Sequence, residues 1–98
     1  MAVKVLIKRT VPQEIAREMI PLFRQMRTMA MNMDGYISGE TLRNMDNPEE
    51  FLVISTWASS DDWIEWLNSS ERQRVQRHID ELLGGQTRYQ VYHYGFSE

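Results

Sequence analysis

The chain has no cysteine among its 98 residues. That absence removes disulfides, thiolate metal sites and cysteine nucleophiles together. Histidine is nearly absent too: His78 and His93 are the only two, and they fall on different predicted elements, so no metal-ligand spacing exists. No apolar run approaches the roughly 20 residues of a membrane span, and the opening MAVKVLIKRT is too short and too alternating for a signal peptide. The expected location is therefore the cytoplasm, with no membrane partner. Runs of like charge are also missing. Eleven basic against fourteen acidic residues give a net charge of −3, and no basic stripe of the kind nucleic acid requires is present. The nearest candidate, Arg72, Arg74 and Arg77, is interleaved with Glu71, Asp80 and Glu81, which reads as a solvated face of mixed charge.

What is present fits one domain spanning residues 1–98, with ordinary apolar (42%) and charged (26%) shares. Val3, Val5 and Ile7 alternate with Lys4, Leu6 and Lys8, the period of a half-buried strand. The period then changes. Ile15, Met19, Leu22, Met26, Met29 and Met33 recur every three or four residues, which predicts an amphipathic helix. Thr10 and Gln13 form a candidate capping box, Pro21 predicts a kink or break near Ile20, and Asp34-Gly35 supplies the stop. Strands are predicted from Tyr36 to Met45 and from Phe51 to Trp57, joined through MDNPEE. Ser59 and Asp62 open the next helix, which carries Trp63, Trp66 and Leu67 on one face. It breaks at Asn68–Ser70 and restarts with Val75, Ile79 and Leu82 as its stripe, stopping at Gly84-Gly85. An aromatic, alternating last strand runs from Arg88 to Phe96.

The order β-α-β-β-α(α)-β with right-handed crossovers predicts an α+β, ferredoxin-like fold: a four-stranded antiparallel sheet with helices on one face. The opposite face keeps apolar or aromatic residues, drawn from Leu6, Leu52, Ile54, Tyr92 and Tyr94. An open apolar face of that extent is a docking surface, and a homodimer stacking two sheets is its physical consequence.

DGYISGETLRN (Asp34–Asn44) and EEFLVISTWASSDDWIEWLNS (Glu49–Ser69) carry a family resemblance over essentially the whole chain. The Gly35-Tyr36 opening of strand two, the strand-end Trp57 and a capped helix bearing Trp66 are similar to those of antibiotic biosynthesis monooxygenase domains, which are dimeric α+β barrels. The family includes quinone-forming monooxygenases, heme degraders and domains of other activity. The resemblance implies oxidation of a phenolic or hydroquinone-like small molecule, with no metal or flavin, in a pocket between sheet and helices; the alternative is a non-catalytic small-molecule binding or dimerisation domain of the same fold. Such chemistry needs an aromatic wall, a proton acceptor and a group that stabilises the resulting anion. The resemblance points to Trp66 as the wall and His78 as the acceptor. Lys8, Arg43 and Tyr36 are candidates for holding charge, and Met26 and Met29 for the roof.

Each residue also has a plainer reading. Trp57 and Trp63 are first of all core material; the methionine stripe suits an ordinary core as well as an adaptable cavity. His78 lies at the edge of the Val75–Leu82 stripe, and His93 reads as a surface or dimer-face residue. The heme-degrading branch implies an asparagine on strand one and a histidine beyond the tryptophan. Here the first position holds Ile7 or Lys8, and the second falls at Gln76, two residues before His78. Two residues of helix are about 200° of rotation, so heme is disfavoured.

Overall fold

Four strands and three helices follow one another as β1 (Val3–Thr10), α1 (Ala16–Met31), β2 (Tyr36–Arg43), β3 (Glu50–Trp57), α2 (Ser60–Leu67), α3 (Ser70–Leu83) and β4 (Tyr89–His93). The computed structural model describes residues 1–85 and 87–95; Phe96, assigned above to the last strand, lies outside them. The strands form one antiparallel sheet in the order β2-β3-β1-β4, with the helices on one face: the ferredoxin-like α+β arrangement. No helix of the described residues is long and apolar enough to cross a membrane.

Register settles which alternating set faces the helices. Val3 and Val5 are fully buried, and they pair with Trp57 and Ser55 across β3. Ile7 and Arg9 continue the inward row opposite Val53 and Phe51. The outward row of β1 is Lys4, Leu6 and Lys8; Leu6 meets Ile54, Lys8 meets Leu52, Leu42 meets Leu52 and Lys4 meets Tyr92. The open face thus carries Leu6, Leu42, Leu52, Ile54 and Tyr92, and Leu42 and Tyr92 are about half exposed. Tyr94 lies beyond β4. His93 is exposed, but it sits opposite Val3 and so on the helix side of the sheet, which corrects the dimer-face alternative.

At the start of α1 the capping-box expectation is overturned, and of the kink or break expected at Pro21 the break does not occur. The helix runs unbroken through Pro21. The ring is solvent-exposed, and the lost N–H falls early in the helix, where a single carbonyl goes without its partner. The Thr10–Gln13 capping box does not form because β1 extends through Thr10. Instead the Gln13 amide, in a single 3₁₀ turn (Gln13–Ile15), donates to the Glu49 carboxylate at 2.9 Å. The later caps follow the sequence. Ser59 Oγ accepts from the Asp62 amide at 3.1 Å and donates to its carboxylate at 2.9 Å. Ser69 receives the Arg72 amide, and Gly84 closes α3 at φ 74°.

Gly35 is the one glycine whose backbone and surroundings both forbid a side chain. Its φ is +85°, and a Cβ there would lie 2.3 Å from the Asp62 carboxyl carbon. The close approach joins the end of α1 to the capped start of α2, whose following turn carries Trp63 and Trp66. Both tryptophans are buried with Val3, Val5, Ala30 and Trp57 in one cluster; Val11, Met19, Val75 and Ile79 form a second under α1 and α3.

Candidate active site

Between helices and sheet lies an open cleft of about 340 Å³. Its walls follow from the inward rows just described. The sheet supplies Ile7, Val53 and Trp57; α1 supplies Met26 and Ala30; α2 supplies Trp63 and Trp66. Trp57 is the hub. Its ring stacks on Trp66 at 6.3 Å and 22°, and meets Tyr36 and Trp63 edge to face at 5.4 and 6.0 Å. Its indole N–H donates to Ser55 Oγ at 3.1 Å. Tyr36 reaches into this group because Gly39 leaves room: a Cβ on Gly39 would lie 2.5 Å from the tyrosine hydroxyl, just past the bulge between Tyr36 and Ser38.

The polar part of the cleft is built from residues that stand apart from the candidates named above. Arg9, the fourth inward residue of β1, and Arg72, in the first turn of α3, are 8% and 4% exposed. Both donate to one acceptor, Gln76 Oε1, at 3.5 and 3.4 Å; Tyr89 OH donates to the same oxygen at 3.2 Å. Arg72 also donates to the Tyr89 hydroxyl and, at 3.1 Å, to the Leu67 carbonyl that ends α2. The amide of Gln76 is held in turn, donating to Asp80 at 2.8 Å and Thr87 at 2.6 Å. Thr87 closes the loop with its own bond to the same Asp80 oxygen at 2.8 Å. The Arg9 guanidinium lies over the Phe23 ring at 4.8 Å, and that of Arg72 over Tyr89 at 5.0 Å.

Burial pushes the Arg9 guanidinium down to about 10, against the attraction of Asp80. Burial also pushes Arg72 down to about 10, aided by repulsion from Arg9 and opposed by Asp80. Both remain cationic at neutral pH. Arg24, Arg27 and Arg43, all exposed, add to them at the cleft; the one acidic residue along its edge, Glu40, pairs with Ile54 and so belongs to the outward row of β2. A chain of net charge −3 thus surrounds its cleft with five arginines.

The candidates from sequence divide into two sets. Trp66, Tyr36, Met26 and Arg43 line the cleft, with the Arg43 guanidinium over the Phe51 ring at 4.8 Å. Met29 packs between the two core clusters and is not on the lining. Lys8 is on the open face of the sheet, near Glu50 at 4.0 Å. His78 is exposed on the outer side of α3, about 200° around the helix from buried Gln76, and no histidine lines the cleft. Trp57 and Trp63 are core, as read, but also wall. The solvated-face reading holds for Arg74 and Arg77 and fails for Arg72, which is one turn before Val75 and Gln76 and shares their buried stripe. At the two positions implied by the heme branch the chain has Ile7 or Lys8 and, in place of a histidine, the Gln76 amide, already engaged by five neighbours, so these residues do not fit a heme ligand set. Among the described residues no group of three His, Asp or Glu gathers as a metal site.

The sequence profile of antibiotic biosynthesis monooxygenases matches residues 2–78. The chain belongs to this family. Among curated relatives, Protein SchA of Streptomyces halstedii is 25% identical over 68 residues; the match takes in 69% of this chain and only 18% of SchA. The 42.8 kDa protein in the whiE locus of Streptomyces coelicolor is likewise matched over only 17% of its length, at 25% identity. Solved structures agree with the fold over whole chains. A conserved protein from Methanosarcina mazei Go1 superposes with a TM-score of 0.85 at 20% identity, covering 94% of this chain and 91% of that one. SnoaB, a cofactor-independent oxygenase from Streptomyces nogalater, superposes with a TM-score of 0.84 at 16% identity, covering 98% and 95%.

Proposed function

We propose that this antibiotic biosynthesis monooxygenase family member oxidises a phenolic or hydroquinone-like small molecule with dioxygen, using no metal or flavin. The observation that carries the reading is the combination in one cleft of a tryptophan wall and a strong excess of fixed positive charge. The wall holds a flat ring. The guanidiniums favour its deprotonated form, the electron-rich species that dioxygen attacks. For a methylene between phenolic rings, two C–H bonds break, one oxygen atom becomes the carbonyl and the other leaves as water. The substrate supplies all the electrons, so no external reductant is required. SnoaB, described as cofactor-independent, supports the same reading through a shared fold. With no histidine on the lining, the proton leaves to solvent through the open mouth of the cleft. The residues proposed to act are Trp66 and Tyr36 on the ring, Arg9, Arg43 and Arg72 on the charge, and Met26 in the roof.

Oxygen-electrode measurements with a panel of hydroquinones and anthrones test this. Uptake of one dioxygen per substrate is expected. Trp66→Ala is expected to lower kcat/KM about 10²-fold, because a misplaced ring forfeits the reactive geometry. His78→Ala is expected to turn over at the wild-type rate. Absence of uptake across the panel, with the ligands still bound, would make the domain a binding module.

The proposed assembly is a cytoplasmic homodimer through the open sheet face, where Leu6, Leu42, Leu52, Ile54 and Tyr92 share a side that no helix of the described residues covers. Sedimentation is expected to show a dimer at micromolar concentration, and Ile54→Glu a monomer. A wild-type monomer would remove the sheet-stacking argument.

A further inference from the structure

We infer that Arg9 and Arg72 form a carboxylate anchor in the floor of the cleft, so that the substrate is an aromatic acid. It is held through its carboxylate while its ring lies against the tryptophans. The inference takes the oxygenase reading for the fate of the ring, but the binding it describes stands separately.

Buried arginines are almost always paired with a carboxylate, because desolvating a charge is costly unless an opposite charge compensates it. Here that partner is missing. The ion pair present among the described residues, Lys8 with Glu50, lies elsewhere on the sheet. Two like charges instead share one neutral amide oxygen at long distances, 3.5 and 3.4 Å. The Nε of each arginine is buried with no hydrogen-bond partner among the described residues. Asp80 attracts both guanidiniums from a distance, but its contacting oxygen is taken by Gln76 and Thr87.

Within the buried cluster, the guanidiniums of Arg9 and Arg72 against the carboxylate of Asp80 leave one uncompensated positive charge. A monoanion matches it, whereas a phosphate dianion would overshoot. A carboxylate also presents two acceptor oxygens in the geometry a guanidinium fork prefers. A phenol does neither before it reacts, since with an ordinary pKa of about 10 it enters the cleft neutral. The aromatic surround sets the remainder of the ligand: beside Arg72 stand the rings of Trp66, at 5.9 Å, and Tyr89.

The test needs no turnover. Titration calorimetry compares 2-naphthoate with 2-naphthamide, its neutral counterpart of the same shape. The acid is expected to bind about tenfold more tightly or better, with the preference unchanged between roughly pH 6 and 9, where guanidiniums keep their charge. Arg9→Gln and Arg72→Gln, each checked for folding by near-UV circular dichroism, are expected to bring the acid down to the affinity of the amide. Equal binding of the two ligands to wild type would overturn the anchor, even if neither variant folds. So would a preference that disappears between pH 6 and 7.5, which would assign it to a histidine, or one that survives both substitutions. Oxygen uptake with 1,4-dihydroxy-2-naphthoate and with 1,4-dihydroxynaphthalene separates the two proposals. Equal kcat/KM for both would sink the anchor and leave the oxygenase reading standing. Acid-selective binding with no uptake of either would keep the anchor and sink the oxygenase.

Discussion

Trp57→Ala is expected to destabilise the protein by about 3–5 kcal/mol, the range found when a large aromatic side chain is deleted from a closed core. Trp57 is 1% exposed and is the residue on which the aromatic cluster converges, touching Tyr36, Trp63 and Trp66 with its ring and Ser55 with its indole N–H. Truncation removes the shared partner of three rings and leaves the hydroxyl of Ser55 without its donor. The hole would open onto an existing cleft, so water could enter where the ring had been, and collapse of α2 onto β3 would be resisted by the cap at Ser59. A domain of this size has roughly 5–15 kcal/mol in hand, so the variant should melt far earlier or fail to accumulate. Trp57→Phe, which keeps a ring against the cluster, is expected to lose less than half as much. Urea unfolding of the two variants beside wild type measures both quantities. A loss under about 1 kcal/mol for the alanine variant would show that the cluster is a lining and not a support.

The fold was legible because the chain states it several times over. Alternation in Val3–Ile7, the methionine stripe of α1, the Ser59–Asp62 cap and the glycines after each long helix all agree. Where these signals failed, a neighbour distant in sequence had intervened: Glu49, far along the chain, caps Gln13 in place of Thr10. The aromatic half of the site was legible for the same reason, since Trp57, Trp63 and Trp66 lie where hydrophobic period and family resemblance coincide. The charged half was not. Arg9 continues the inward alternation of Val3, Val5 and Ile7, and Arg72 precedes Val75, Gln76 and Ile79 at helical spacing, so both positions are buried by pattern. Arginine is usually exposed, and that general preference runs against what the period implies. A charged or amide residue in phase with an apolar stripe is the signal of such a site. His78, whose imidazole suits a proton acceptor, is out of phase with the same stripe and faces solvent.

Gln76 is where stability and ligand choice are expected to separate. Gln76→Leu fits the buried stripe by size but deletes the one oxygen that Arg9, Arg72 and Tyr89 all use. Two buried guanidiniums would then face each other without the acceptor they share, a change expected to cost about 3 kcal/mol or more. The double variant Gln76→Glu, Asp80→Asn has the same net charge as wild type and nearly the same shape. It moves the single carboxylate of the cluster from its outer end to direct contact with both arginines, and the new amide at position 80 can donate where Gln76 now does. Its stability is expected to equal or exceed wild type, because the buried charges gain an internal partner. Its preference for 2-naphthoate over 2-naphthamide is expected to vanish, because that partner occupies the place proposed for the ligand. Thermal unfolding and calorimetry on the same samples read the two effects independently. If the double variant is stable and still selects the acid, the arginine pair is a structural feature of the core and the anchor lies elsewhere on the cleft.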